Sequence, residues 1–96
     1  MAMLDLTSIK KPTMEIKLSE DMTLHVLPAS KSLIDEAMHI QRTPDALYDV
    51  VARILSNNRE KITVERADIE TLDLHDVMLI LNTFVKFIVD MQNSPN

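Results

Sequence analysis

From Met14 onward, apolar residues occupy every second position. Met14, Ile16 and Leu18 alternate with Glu15, Lys17 and Ser19, and Met22, Leu24 and Val26 alternate with Thr23 and His25. This period marks a half-buried strand, and here it occurs twice in succession. Ser19, Glu20 and Asp21 between the runs are turn-competent, so the pattern predicts an antiparallel hairpin over 14–27. Pairing Leu18 with Met22 sets Ile16 against Leu24 and Met14 against Val26, with Glu15 opposite His25 on the other face. A one-residue slip would turn the apolar face into water, which fixes the register. A three-residue loop ordinarily has glycine at its left-handed position, and Asp21 is expected to take that place. An isolated hairpin is marginal in water, so its apolar face is expected to lie on helices or on another chain.

Beyond Pro28 the period becomes helical. Ser30 is a suitable N-cap for a helix over about 31–42, with Leu33, Ile34, Ala37, Met38 and Ile40 as its apolar side. Thr43, Pro44 and Asp45 then form a cap, a first helical proline and a favourable first-turn acid. They open a helix over about 44–57 with the stripe Leu47, Val50, Val51, Ile54 and Leu55. Ser56-Asn57-Asn58 closes it, asparagine standing in for glycine at the C-cap. Thr63 is expected to cap a short helix over about 64–71, and Asp73 a final one over about 74–92. Residues 1–13 hold no sustained period and read as an N-terminal arm, either mobile or simply frayed. The expected architecture is α+β: one domain over 14–96, a two-stranded hairpin followed by three to four helices, the last long and strongly apolar.

That last helix is the most informative segment. Val77, Leu81, Phe84, Ile88 and Met91 form one stripe, and Met78, Val85 and Val89 form a second, partly around the cylinder. A surface helix of a small domain shows one apolar face, whereas a helix apolar on several sides is covered on several sides. Two readings follow. In one, this is the central helix, wrapped by the hairpin and the earlier helices. In the other, part of its surface meets another chain, and Met78, Phe84, Val85, Phe87, Ile88 and Met91 are the candidate interface residues. The 7 methionines allow the same two readings, as core filler or as an adaptable contact surface.

Composition removes many chemistries. With 0 Gly in the chain, against about 7% in an average one, a Walker loop, a dinucleotide-binding turn, an EF-hand and a serine-nucleophile elbow are all disfavoured. With 0 Cys there is no disulfide, thiolate metal site or cysteine nucleophile, and a reducing cytoplasm fits. The net charge of −5 and the 3% aromatic content disfavour nucleic-acid binding. Met1 to Lys11 contains no apolar run resembling a secretion signal. Val77–Val89, interrupted by Asn82 and Lys86, is too short to span a bilayer, so no membrane role is expected.

Histidines His25, His39 and His75 fall on three different predicted elements without metal-ligand spacing, and each reads as a surface residue. Carboxylates such as Asp35–Glu36, Asp68–Glu70 and Asp73–Asp76 sit where capping and solvation account for them. No catalytic, cofactor or metal residues are expected.

Several segments in order carry a resemblance. These are Leu4-Asp5-Leu6-Thr7, Lys10-Lys11-Pro12, Glu15-Ile16-Lys17-Leu18, Leu24-His25-Val26, Leu27-Pro28-Ala29-Ser30-Lys31, Leu47 through Asn58, Phe87-Ile88-Val89-Asp90 and Asn93-Ser94-Pro95-Asn96. Together they resemble the small tail assembly chaperones of long, non-contractile-tailed bacteriophages and prophages. The resemblance implies an assembly factor in the cytoplasm of the bacterial host that covers the tape measure protein, helps to recruit tail tube subunits and self-associates, with no cofactor. Many genes of that type also yield a longer frameshifted product, and Asn93–Asn96 sits where that junction would lie. The alternative from another class is a small acidic regulatory adaptor, an anti-repressor or host-protein inhibitor. A weaker third is a helical DNA-binding protein using Thr43–Asn58 as recognition helix, with Arg53 and Arg59 as its cations.

Overall fold

The computed structural model describes residues 3–7, 10–41 and 43–93. Its elements are β1 (Met14–Ser19), β2 (Met22–Val26), α1 (Lys31–Met38), α2 (Pro44–Ser56), α3 (Arg66–Ile69) and α4 (Leu74–Asn93). The architecture is the expected α+β one, a two-stranded antiparallel hairpin followed by four helices, the last of them long. The expected helix end at Arg42, the closing Ser94-Pro95-Asn96, and Met1, Ala2, Ser8 and Ile9 of the arm lie outside the described residues.

The strands pair Met14 with Val26, Glu15 with His25 and Ile16 with Leu24, the register that alternation imposes. The turn end differs from expectation. Lys17 pairs with Thr23 and Ser19 with Met22, so Leu18 is an extra residue in a bulge and does not face Met22. The loop shortens to Glu20 and Asp21, neither with positive φ; the one positive φ among the described residues is at Lys61. A chain without glycine avoids the left-handed loop position, and the bulge supplies the added twist instead. Met14, Leu24 and Val26 are buried, Ile16 and Leu18 half-buried, and Met22 exposed.

The helix starts at 31 and 44 follow their caps. Ser30 Oγ accepts from the Leu33 amide (3.4 Å) and Thr43 Oγ1 from the Ala46 amide (3.4 Å). α1 stops at Met38, short of the expected 42. His39 leaves helical geometry, and its amide (3.1 Å) and ring Nδ1 (3.0 Å) both donate to the Asp35 carbonyl. Thr43 must be extended ahead of Pro44, which leaves few residues for another turn. α3 begins at Arg66 rather than 64, and its cap is Glu65, not Thr63. The Asp68 carboxylate accepts from the Glu65 amide (3.0 Å), while Val64 stays outside the helix because its own amide donates to Ser56 Oγ (2.9 Å). α4 opens as expected, with Asp73 Oδ1 accepting from the Asp76 amide (2.8 Å).

The core centres on α2, not on α4. Leu47, Val50, Val51, Ala52, Ile54 and Leu55 are all buried, and α2 packs against α1, α3, α4 and β2. α4 contributes Val77, Leu81, Phe84 and Ile88, four positions on one side of its cylinder. Each such aliphatic or aromatic side chain stabilises the fold by about 1.5–3 kcal/mol. Tyr48 Oη, on α2, donates to the Leu72 carbonyl (2.8 Å) and pins the turn that leads into α4.

Candidate protein-interaction surface

What sets the hairpin in place is the segment after α2. The Leu27 amide donates to the Asn57 carbonyl (2.8 Å), the Arg59 amide to the His25 carbonyl (2.9 Å), and Val26 bridges Asn58. Asn58 is buried, at 5% exposure, and its amide nitrogen donates to the Leu55 and Ile62 carbonyls (2.7 Å each). Its Oδ1 accepts from the Ile62 amide (2.9 Å). Asn57 Nδ2 reaches the Pro28 carbonyl (3.1 Å). Asn58 therefore closes α2 through its side chain and Asn57 through its backbone amide, which donates to the Ile54 carbonyl; Asn57 is not left-handed as a glycine substitute would be (φ −91°, ψ 74°). The left-handed residue is Lys61, at φ 60°.

A His–carboxylate cluster forms at the same junction. The His25 amide donates to Glu60 Oε1 (2.8 Å), its ring Nδ1 lies 2.5 Å from Glu60 Oε2, and its Nε2 lies 3.4 Å from Glu15 Oε2. The His25 backbone N–H holds the Glu60 carboxyl below the ordinary carboxylate range, assisted by the ring and opposed by partial desolvation. Both ring nitrogens face carboxylates, so the cluster ties β1, β2 and the 57–65 segment together and presents neither nitrogen to a substrate. Alternation along the strand places Glu15 beside His25. Glu60 lies 35 residues away in sequence, and no local spacing points to it.

Other polar groups are similarly occupied. Arg53 Nη1 is 2.5 Å from Glu36 and its Nη2 is 3.4 Å from Asp49; the Glu36 carboxylate raises the Arg53 pKa further. The exposed face of α2 consists of Pro44, Asp45, Asp49 and Arg53, its sole arginine matched to carboxylates, so this helix has no basic face to offer a duplex. Asp73, His75 and Asp76 at the start of α4 are the described residues whose ligand atoms converge closely enough for an ion. All three are exposed, Asp73 is engaged in capping, and the acids are accounted for by the helix N-terminus. No described helix is long and apolar enough to cross a membrane.

The six candidate interface residues divide. Phe84 (1% exposed) and Ile88 (2%) are enclosed by the chain's own core, so the expectation that they meet a partner is corrected. They share the inner face with Val77 and Leu81, spaced three and four apart. Met78, Val85, Phe87 and Met91 are half-buried on the two flanks of that face. Beyond them Leu74 (42%), Leu79 (56%) and Val89 (39%) are exposed. α4 is thus covered along one side and open along the rest, with apolar side chains on both shoulders. Exposed Met3, Leu4 and Leu6 in the arm add a second apolar feature.

No protein-family profile, curated protein or solved structure matches the chain.

Proposed function

We propose that this chain is a non-enzymatic assembly factor that covers apolar helices of a larger partner, as the tail assembly chaperones it resembles would cover a tape measure protein and help to recruit tail tube subunits in the bacterial cytoplasm. The observation that carries this reading is the outer surface of α4. Met78, Val85, Phe87 and Met91 are only half covered, and Leu74, Leu79 and Val89 stand in solvent on a helix whose inner side is already packed. Apolar shoulders on a regular helix suit another helix laid alongside, and the net charge of −5 favours solubility of the resulting complex. Covering a partner's helix requires neither a cofactor nor a perturbed acid.

Co-expression with the longest helical protein of the same operon, followed by co-purification and light scattering, tests the reading. The expected result is a soluble complex that Phe87→Ser and Val89→Ser weaken while the helical circular dichroism of the isolated chain is unchanged. A chain that stays alone and takes up none of that protein favours the small acidic adaptor instead.

A further inference from the structure

A groove of about 400 Å³ runs between the hairpin and α4. One wall is β1, where Glu15, Ile16, Lys17 and Leu18 all border it. Consecutive side chains of a strand point to opposite faces, so four in a row around one groove means that the groove meets the edge of the strand. Among the described residues that edge is unpaired. The sheet has two strands, the far edge of β2 is closed by the Asn58 bridge, and β1 pairs only with β2 among the described residues. The opposite wall carries Leu72, Leu79 and Ile80, with Asp76 and Thr83 beside them. Unsatisfied strand groups facing an apolar helix form the kind of slot that accepts one further extended segment.

We propose that this slot receives the apolar arm, Met3–Leu6, of a second copy of the chain. The arm carries the most exposed large apolar side chains among the described residues: Met3 is 85% exposed, Leu4 75% and Leu6 66%. The turn in which the Thr7 amide (3.0 Å) and hydroxyl (2.6 Å) donate to Asp5 ends the irregular piece and separates it from Lys10 and Lys11. Those two cations suit the Glu15 and Asp76 carboxylates at the rim, where the one cation, Lys17, is drawn to Glu20 (3.2 Å). The arm's own slot is harder to reach. Pro12 disfavours a helical turn at Lys11, and no turn forms over Lys10–Thr13. An arm-to-slot contact joins unlike surfaces, so it closes a reciprocal pair or extends a row, and either has a mass above one chain.

This inference shares only Leu79 with the surface of the assembly-factor reading; Phe87 and Val89, the residues that test that reading, do not border the slot, so the two can fail separately. Light scattering over a concentration series is run on the full chain, on Leu4→Glu/Leu6→Glu and on Leu79→Glu. Alongside, a peptide of residues 1–12 is titrated into each variant. The full chain is expected to self-associate and both variants to remain single chains with unchanged circular dichroism. The peptide is expected to bind the arm variant, whose slot is intact, and to bind Leu79→Glu about tenfold more weakly or worse. A full chain that is monomeric at every concentration overturns the proposal, even where the peptide binds, because the arm then serves its own slot. Self-association that survives in either variant overturns it too.

Discussion

α2 and α4 are both long amphipathic helices, yet the structure uses them differently. α2 is enclosed by helices on several sides and by β2, with only Pro44, Asp45, Asp49 and Arg53 exposed. α4 has the larger number of apolar residues but is covered along one face, leaving Leu74, Leu79 and Val89 in solvent. Apolar content therefore did not decide which helix is central. Packing did, because α1, α3, α4 and β2 all fold back on α2. The surplus apolar surface of α4 is what the described residues leave uncovered.

The comparison is broken most directly by truncation. Leu55→Ala in α2, at a position 0% exposed, is expected to cost about 2–5 kcal/mol, whereas Leu79→Ala in α4 should stay within about 0.5 kcal/mol. Urea denaturation of both variants checks this, and equal losses would mean that α4 is enclosed as fully as α2. Next in size is Asn58→Ala, which removes the amide that closes α2 and leaves the Ile62 amide and two carbonyls without that partner. A loss of about 1–3 kcal/mol is expected in the same assay.

A smaller, pH-dependent effect comes from Glu60. Its carboxyl is depressed in the fold by the His25 N–H, so its contribution is fully present above the ordinary value of 4.5 and is lost as pH falls through the lower folded value. Chemical denaturation from neutral pH into the acid range should show a shallower acid-side decline for Glu60→Gln than for the unaltered chain. Parallel curves would mean that this contact does not persist in solution. Smallest is Lys61→Gly, at φ 60°, which should stabilise by about 0.5–1 kcal/mol as left-handed strain is relieved against added unfolded-state entropy. A loss of stability there would show that the Lys61 side chain contributes more than its backbone strain costs.

Local signals in the sequence determine the structure where one neighbour decides the outcome. Alternation gave the pairing of Met14 with Val26, and Ser30, Thr43 and Asp73 gave three helix starts. The Leu18 bulge was not legible, because either loop length satisfies the alternation up to Lys17. The start of α3 was missed because Val64 answers to Ser56, eight residues back, rather than to its own helix. The same limit applies to the surface. The sequence showed that α4 carries two stripes, but which one faces inward depends on where α2 lies, and that placed Phe84 and Ile88 in the core.

The hydroxyl of Tyr48 on the Leu72 carbonyl has a practical consequence. With 1 tyrosine and 0 tryptophan, emission excited in the tyrosine band, at longer wavelength than the 2 phenylalanines absorb, originates at a single ring wedged where α2 meets the approach to α4. Loosening of that joint registers optically without any label, while fraying of the hairpin tip goes unseen by the same light.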